Sequence, residues 1–340
     1  MISFKKKNIL VVPFITFLLV CNTTTFQNKS FINWLKSSVP PLLKKYKVPG
    51  ISIAIVEHLR VSGKFVFGKR KLGSKMKINE ETIFEACSMS KPVFSFAVLK
   101  LKEKGKFDIN KPLDSYLKKP FVKGDKRSRL VTARMVMTHT TGLPNWRRKK
   151  PLKFISDPGK KYTYSGEGFT WLTKAIKSIV GKDLNSWLKK NLLIPIGMKR
   201  SSYIWEKNFE RNFAWGHGYY GDVKKRSPFK KVNAAYSLYT TPTDYAKFII
   251  TVMKQCKKGY IKLMVEPIFR IGKDKYRSMG FVIEKKGNIR LISHTGHNGT
   301  GFTCYTLFCP EKKTGIVVMT NAESGKKVCK FIIDKFLNTI

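Results

Sequence analysis

The sequence has few acidic residues and many basic ones. Its 340 residues include 21 Asp and Glu against 67 Lys and Arg, which gives a formal net charge of +46 at pH 7. Such an excess can indicate nucleic-acid binding, attraction to an anionic membrane or cell-wall surface, or a compositional bias toward lysine. The basic residues are scattered in short clusters, for example at 69–71, 147–150 and 224–226. Because no nucleic-acid-binding motif accompanies them, we expect no specific nucleic-acid partner and favour the bias, with peripheral membrane or anionic cell-wall contact second.

Cysteine and histidine are also scarce. The six cysteines contain no C-x-x-C pair and there are five histidines, so the sequence indicates no metal site, and we expect no cofactor. Cys304 and Cys309 lie in one strand-like run, five residues apart, which should place their side chains on opposite faces. The expected state of the cysteines is therefore the buried free thiol.

The apolar run near the N-terminus is too short to span a bilayer comfortably. Its twelve residues, Ile9 to Val20, follow three lysines, an arrangement that predicts an export signal over residues 1–21. The end of this run, Leu18 to Cys21, resembles a bacterial lipoprotein cleavage box, although Val20 stands where a small residue is usual. The alternatives to lipidation are an ordinary signal peptide and a membrane anchor that is never cut. In each case we expect an exported protein of the bacterial cell envelope, lipid-anchored, periplasmic or extracellular, with residues 22–30 as a tether.

The rest of the chain shows the periodicities of both strands and helices. Alternating apolar residues predict strands at 50–56, 61–67, 279–284, 289–293, 302–308 and 315–320. Helical patterns predict helices at 132–137, 168–180, 184–193, 243–254 and 326–337. A further amphipathic pattern, at 31–46, is interrupted at Pro40-Pro41.

Strands from both ends of the chain should meet in one antiparallel sheet, because the middle of the sequence is mostly helical. We therefore expect an α+β fold: an antiparallel sheet flanked by helices, built from both ends of the chain, with an inserted mostly α-helical domain. The predicted boundaries are 31–105 and 236–340 for the sheet domain and 106–235 for the helical domain.

One stretch joins a strand-like run to the start of a buried helix. After Thr82-Ile83-Phe84 the chain turns, and Ser88 precedes Lys91 at the head of an apolar helix. Residues three apart share a helical face, so the Lys91 amine can reach the Ser88 hydroxyl, which needs such a base to act as a nucleophile. The same Ser-x-x-Lys spacing also occurs elsewhere, for example at Ser186. The motif by itself can therefore be no more than a solvated lysine near a serine. The apolar helix that follows is what distinguishes Ser88.

Two further stretches combine polar residues with glycine. Tyr164 lies in a Gly- and Ser-rich turn before the helix predicted at 168–180, where its phenol can act as a base or simply pack at the helix entry. His294-Thr295-Gly296 closes a predicted strand, and His297 opens the next turn. A strand edge here that faces the Ser88 helix can offer N–H groups to a substrate carbonyl. Alternatively, His294 is a satisfied histidine at a sheet end.

In this order, the three motifs resemble those of the serine β-lactamase and penicillin-recognising family, above all its class C branch and the related D-alanyl-D-alanine carboxypeptidases and esterases. That family uses Ser-x-x-Lys, Tyr-x-Asn and Lys/His-Thr-Gly, which correspond here to Ser88–Lys91, Tyr164–Gly166 and His294–Gly296. Shorter likenesses occur at 137–144, 195–198 and 240–244. The sequence departs from the family at Gly166, where asparagine is frequent, and at His294, where many members have lysine.

The resemblance implies a β-lactamase/transpeptidase-like fold and acyl transfer through an acyl-enzyme. It assigns catalysis to Ser88, Lys91 and Tyr164, and substrate binding to His294, Thr295, Gly296 and His297. In the family, the N–H groups at the positions of Ser88 and His297 form the oxyanion hole. The implied partner is a small-molecule or peptide substrate: a β-lactam, a peptidoglycan stem peptide, a short-chain ester or a D-amino-acid amide. A non-catalytic or slowly acylating penicillin-binding or sensor module is the alternative.

Overall fold

The computed structural model describes residues 28–340 except 149 and 227. The predicted export signal, with the predicted lipidation site Cys21, lies outside the described residues, as do residues 22–27 of the predicted tether. The first described element is the helix α1 (Lys29–Lys45), which begins inside the segment predicted as a tether. The Asn28 side chain caps this helix by accepting the Phe31 N–H at 2.9 Å.

The prediction that α1 is interrupted at Pro40-Pro41 is wrong, because the helix runs through both prolines. Both prolines are exposed, so water can satisfy the carbonyl groups that lose their helical partners. The opposite face buries Leu35, Val39 and Leu43 at helical spacing. Packing of this face against the sheet outweighs the cost of the two missing hydrogen bonds.

An eight-stranded antiparallel sheet is built from both ends of the chain, as predicted. Its strands, in the order in which they lie side by side, are β2 (Arg60–Gly68), β1 (Gly50–Glu57), β10 (Thr314–Thr320), β9 (Phe302–Cys309), β8 (Ile289–Asn298), β7 (Val282–Lys286), β6 (Lys275–Arg277) and β5 (Phe269–Gly272). β1 pairs with β2 on one side and with β10 on the other. Two short strands, β3 (Phe84–Glu85) and β4 (Tyr239–Thr240), pair separately.

Two strand predictions need correction. β8 does not end at Ser293 but extends to Asn298, because each residue from His294 to Asn298 pairs with a residue of β9. β7 begins at Val282 rather than at 279, since the chain turns at Gly280 with φ of 120°. The short strands β5 and β6 were not predicted.

The remaining helices agree with the predicted ones in position, with α5 shorter than predicted. They are α2 (Ser90–Glu103), α3 (Ala133–Met137), α4 (Gly166–Val180), α5 (Leu184–Leu188), α6 (Pro242–Gln255) and α7 (Gly325–Leu337). A wider helical turn at 189–193 continues α5. No helix within the described residues is long and apolar enough to cross a membrane.

The two faces of the sheet bury separate cores. On one face, α1 and α7 cover residues such as Ile53 and Val318. On the other face, one continuous core joins α2 and α6 to the helical block that contains Phe169. The division of the chain into two domains therefore stays a prediction. The five cysteines of the described residues are free and buried, which confirms the expectation for them.

Candidate active site

The turn between β3 and α2 brings one hydroxyl to the surface. From Thr82 to Leu99 every residue is buried except Ser88, which is partly exposed. The preceding residue, Cys87, has a φ of 51°, a conformation that costs free energy for a residue other than glycine. The surrounding core thus holds a strained turn that presents Ser88 to solvent.

Lys91 lies directly behind this hydroxyl, in the first turn of α2. Its Nζ is 3.1 Å from Ser88 Oγ and donates to the Ala235 carbonyl oxygen at 2.7 Å. Burial lowers the pKa of the Lys91 amine and the nearby Arg277 lowers it further, while the neighbouring Tyr164 hydroxyl raises it. A lysine with a lowered pKa loses its proton more readily than an ordinary lysine, which suits it to act as a base.

Tyr164 lies over the same amine and is held by His139. The Lys91 Nζ is 4.8 Å from the centre of the tyrosine ring, and the His139 ring stacks on the tyrosine ring with a centroid distance of 4.3 Å. His139 also fixes the backbone on both sides of the tyrosine: its carbonyl accepts the Thr163 N–H, and its Nδ1 accepts the Ser165 N–H. His139 therefore positions Tyr164.

The third motif lies within β8, at an edge that faces the Ser88 turn. β7 pairs with β8 only as far as Ser293. Residues 294–298 of β8 therefore have no partner in β7 along that edge. A Cβ on Gly296 would lie 2.4 Å from the Ala86 carbonyl oxygen. The absence of a side chain at Gly296 is what lets the strand approach the turn this closely.

Ser88, Tyr164, Thr295 and His297 line a common open cleft of about 450 Å³. His294 does not line it: this side chain is buried, and its Nδ1 donates to the Thr295 carbonyl oxygen at 2.7 Å. Burial, and next the charge of Arg277, lower the His294 pKa well below its usual value, so the ring is neutral. The sequence motif thus brings the backbone and Thr295 to the cleft, not the histidine ring.

The loop before α4 supplies residues that the sequence motifs do not indicate. Asn145 and Trp146 line the cleft. The Asn145 Oδ1 accepts the Gly166 N–H at 3.0 Å. Next to them, Arg147 binds the buried Glu167 carboxylate through Nε at 3.0 Å and Nη2 at 2.7 Å. This pair fixes the loop to the start of α4, which explains Glu167 without a catalytic role.

Arg277 is a buried cation whose charge acts on Lys91 and His294. It is 2% exposed, and within the described residues its Nε and Nη2 have no hydrogen-bond partner. Its guanidinium lies 5.8 Å from the centre of the Tyr162 ring. Its charge contributes to the lowered pKa values of Lys91 and His294. Nothing in its short strand distinguishes this arginine from the many others in so basic a sequence.

A buried carboxyl group supports the other wall of the cleft. Glu85 Oε2 accepts from Asn298 Nδ2 at 3.1 Å and from Thr300 Oγ1 at 2.5 Å. Burial raises the pKa of Glu85 to about 7, and the two hydrogen bonds oppose the shift. Asn298 and Thr300 both line the cleft, so Glu85 positions the loop that follows β8.

The family model described as Beta-lactamase matches residues 35–330. The chain belongs to the Beta-lactamase family. This result confirms the family that the three motifs indicated, since the matched residues include all of them.

Solved structures similar to this chain show the fold of the Beta-lactamase family. D-alanine carboxypeptidase AmpC from Burkholderia cenocepacia superposes with a TM-score of 0.77 at 21% identity, covering 90% of this chain and 99% of that one. A class C beta-lactamase gives the same TM-score at 20% identity, covering 91% and 98%. The octameric penicillin-binding protein homologue from Pyrococcus abyssi gives 0.77 at 22% identity, covering 90% and 77%. The predicted β-lactamase/transpeptidase-like fold is therefore confirmed.

Two proteins similar to this chain come from Staphylococcus aureus strain MRSA252. Protein flp is 22% identical over 323 residues, which cover 83% of this chain and 61% of the relative. Teichoic acid D-alanine hydrolase is 26% identical over 297 residues, which cover 82% of this chain and 71% of the relative. The chain thus spans about three fifths of the length of the Flp proteins that it matches.

Proposed function

We propose that the chain is a serine hydrolase that acts on an ester, amide or lactam through an acyl-enzyme at Ser88. The observation that carries this proposal is the distance of 3.1 Å between Lys91 Nζ and Ser88 Oγ. The serine is the one partly exposed residue of its buried segment, and the lysine has a lowered pKa. A nucleophile beside an oriented base is the arrangement that acyl transfer requires.

In the proposed reaction, Ser88 Oγ attacks the substrate carbonyl carbon while the neutral Lys91 amine takes its proton. The tetrahedral intermediate then collapses: the bond from the carbonyl carbon to the leaving oxygen or nitrogen breaks, and the leaving group takes a proton delivered through Tyr164. Water next attacks the acyl-enzyme, releases the acid and returns the proton to Ser88. No oxidant, reductant or metal takes part in these steps.

The oxyanion of each tetrahedral intermediate is assigned to the N–H groups of Ser88 and His297. His297 lies on the part of β8 that is not paired with β7, and its side chain lines the cleft. Gly296 brings this edge against the Ser88 turn. Two N–H groups that converge on the developing charge supply a large part of the rate in such reactions.

The proposed substrate is a D-alanyl ester rather than a β-lactam or a peptide that ends in a carboxylate. One relative is named teichoic acid D-alanine hydrolase, and one solved structure is titled D-alanine carboxypeptidase. Within this chain, the neutral and buried His294 offers no positive charge to a substrate carboxylate. A substrate with no carboxylate on either side of the bond that is cleaved suits such a cleft better.

We also propose that the protein is exported and acts in the cell envelope. The support is the charged and then apolar sequence of residues 1–21, with Cys21 as the site of lipidation. The net charge of +46 favours peripheral contact with anionic envelope surfaces. The proposed domain division has a sheet domain, formed by residues 31–105 and 236–340, and a helical domain, formed by residues 106–235.

The first test is the intact mass of the protein after incubation with a labelled penicillin, together with hydrolysis of a neutral nitrophenyl ester. We expect an adduct or ester turnover in the unmodified protein and neither in Ser88→Ala. Ser186→Ala is the matched control, because Ser186 and Lys189 form the same Ser-x-x-Lys motif on an exposed helix surface. It should behave like the unmodified protein.

Two results would contradict the assignment. The first is ester turnover by Ser88→Ala that stays within about tenfold of the unmodified protein. The second is the absence of both adduct and turnover in the unmodified protein, which would favour a non-catalytic module. A stable adduct without turnover would instead identify a penicillin-binding protein that acylates at Ser88 and releases the acyl group slowly.

A further inference from the structure

A second cleft, of about 470 Å³, lies next to the active-site cleft. Tyr236 lines both of them, so the two clefts share a wall. One side of the second cleft is a single face of α4, because Thr170, Thr173, Lys174 and Lys177 have helical spacing. We call it the lysine groove after its basic lining residues, Lys174, Lys177, Lys182, Lys230 and Lys231.

The charge of the lysine groove is not compensated by carboxylates. Asp183 is the one acidic residue among the described lining residues, and it is exposed. Its carboxylate already accepts the Ser186 N–H at 3.0 Å as the cap of α5. In the described part of the chain, none of the five lysines forms an ion pair, whereas Lys189 nearby does so with Glu206. The groove therefore presents several unpaired ammonium groups to solvent on the border of the Ser88 cleft.

The lysines of the groove suit a phosphate-bearing ligand. Arginine binds carboxylate and phosphate alike through its planar group, and the groove lining contains no arginine among its described residues, so the lysines supply the positive charge of the groove. Lysine ammonium groups act as mobile point charges, and they are frequent ligands of phosphate. The bias of the whole sequence toward lysine does not explain why these five surround a concave site rather than a convex surface.

We propose that the lysine groove binds a phosphate-bearing chain that carries the acyl group cleaved at Ser88. This inference rests on the proposed function and names the carrier part of its substrate. The phosphates of the chain lie among the lysines, and the chain passes Tyr236 so that its acylated hydroxyl enters the Ser88 cleft. When Ser88 Oγ bonds to the acyl carbon, the ester bond to the carrier breaks, and the carrier leaves as a free hydroxyl with the proton returned through Tyr164.

Binding is tested on the full chain with Ser88→Ala, so that no reaction consumes the probe. The probe is a fluorescently labelled linear inorganic polyphosphate, and its Kd is measured by anisotropy at constant ionic strength. The groove variant carries Lys177→Glu and Lys230→Glu. The matched control carries Lys36→Glu and Lys44→Glu on α1, where both lysines are exposed on a helix that covers the other face of the sheet.

We expect the groove variant to bind polyphosphate about tenfold or more weakly, because two attractive charges become repulsive. The control, with the same change in net charge, should stay within about twofold. Equal losses in both variants would overturn the proposal and indicate general charge attraction. Failure of the parent to bind polyphosphate, or tighter binding of labelled polyglutamate of equal charge at the same lysines, would also overturn it.

Different results would contradict the proposed hydrolase and the proposed binding of phosphate in the lysine groove. With Ser88 intact, the groove variant should form the penicillin adduct and hydrolyse the neutral ester at rates within about twofold of the unmodified protein. Loss of these reactions in the unmodified protein would contradict the hydrolase and leave the binding result standing. Retention of the reactions without groove-dependent polyphosphate binding would contradict the groove alone. The milder variant Lys177→Gln with Lys230→Gln repeats the measurement without charge reversal.

Discussion

The indole ring of Trp146 fills the space beside Gly166. A Cβ built on Gly166 would lie 2.5 Å from two atoms of this ring, so no side chain fits at this position of α4. The family frequently has an asparagine here, and the site of this chain has an aromatic wall instead. The ring also packs at 5.9 Å, centre to centre, against Tyr236, the residue shared by the two clefts.

The first prediction is that Gly166→Asn disrupts the site rather than restoring the asparagine of the family. The new side chain must displace Trp146, which should lower the free energy of unfolding by about 1–3 kcal/mol and slow acylation. Adding Trp146→Ala should recover most of the stability, because that ring is 42% exposed and its removal leaves no buried cavity. Denaturant unfolding of the unmodified protein, the two single variants and the double variant gives the coupling free energy between the two substitutions. Additive effects would show that the ring and the new side chain do not compete for space.

A second prediction concerns the approach of β8 to the Ser88 turn. Gly296→Ala should push the strand away from the Ala86 carbonyl oxygen, which a Cβ would approach to 2.4 Å. We expect acylation to slow by about a hundredfold to a thousandfold, the usual effect of losing one oxyanion donor. Gly299→Ala is the matched control, because a Cβ there meets no atom within 4 Å. Equal rates in the two variants would argue against the assigned oxyanion hole.

A third prediction follows from the unpaired charge of Arg277. Burial is the main cause of the lowered Lys91 pKa, and Arg277 lowers it further. Arg277→Met removes a repulsive charge, so the Lys91 pKa should rise and less of the amine should be neutral at pH 7. The acidic limb of the kcat/KM profile should therefore move to higher pH. Arg277→Lys, which keeps the charge, should move it less. If the acidic limb does not move in Arg277→Met, the charge of Arg277 does not affect the pKa of the base.

A fourth prediction is a pH dependence of stability that arises from Glu85. Its pKa is raised from 4.5 to about 7 in the folded protein, so the folded state binds more protons than the unfolded state between these values. Stability from this group is fully present below pH 4.5 and is lost as the pH rises to about 7, by about 3 kcal/mol in total. Glu85→Gln cannot ionise and should lack this loss. Urea unfolding at several pH values compares the two proteins, and parallel stability curves would refute the assignment.

The arrangement of the site could be predicted to the extent that it depends on local sequence. The spacing of Ser88 and Lys91, three residues apart, predicted their contact, although Ser88 lies in the helical turn just before α2 and not in α2 itself. Alternation of apolar residues indicated most strands. The extension of β8 beyond Ser293 could not be predicted, because it depends on pairing with β9. The contribution of Trp146 was also missed, since it approaches Gly166 only through the fold of the loop that Arg147 and Glu167 hold in place.

Packing also explains the other differences. α1 continues through its prolines because the buried face at Leu35 and Val39 decides the conformation, and local sequence rules do not include that contact. The burial of Arg277 depends on β6, a strand of three residues that carries too little periodicity to be recognised. The neutral state of His294 likewise follows from its burial, which a sequence motif does not state.

The pairing of β1 with β10 has a consequence for the time at which activity can arise. A ribosome makes β1 early and β10 last, and the Ser88 turn is completed by β8, about two hundred residues after it. These contacts are distant in the sequence, so they close slowly and late in folding. A nascent or truncated chain has a serine but no active site. Within this chain, the proposed active site can therefore form only after β8 and β9 have been made.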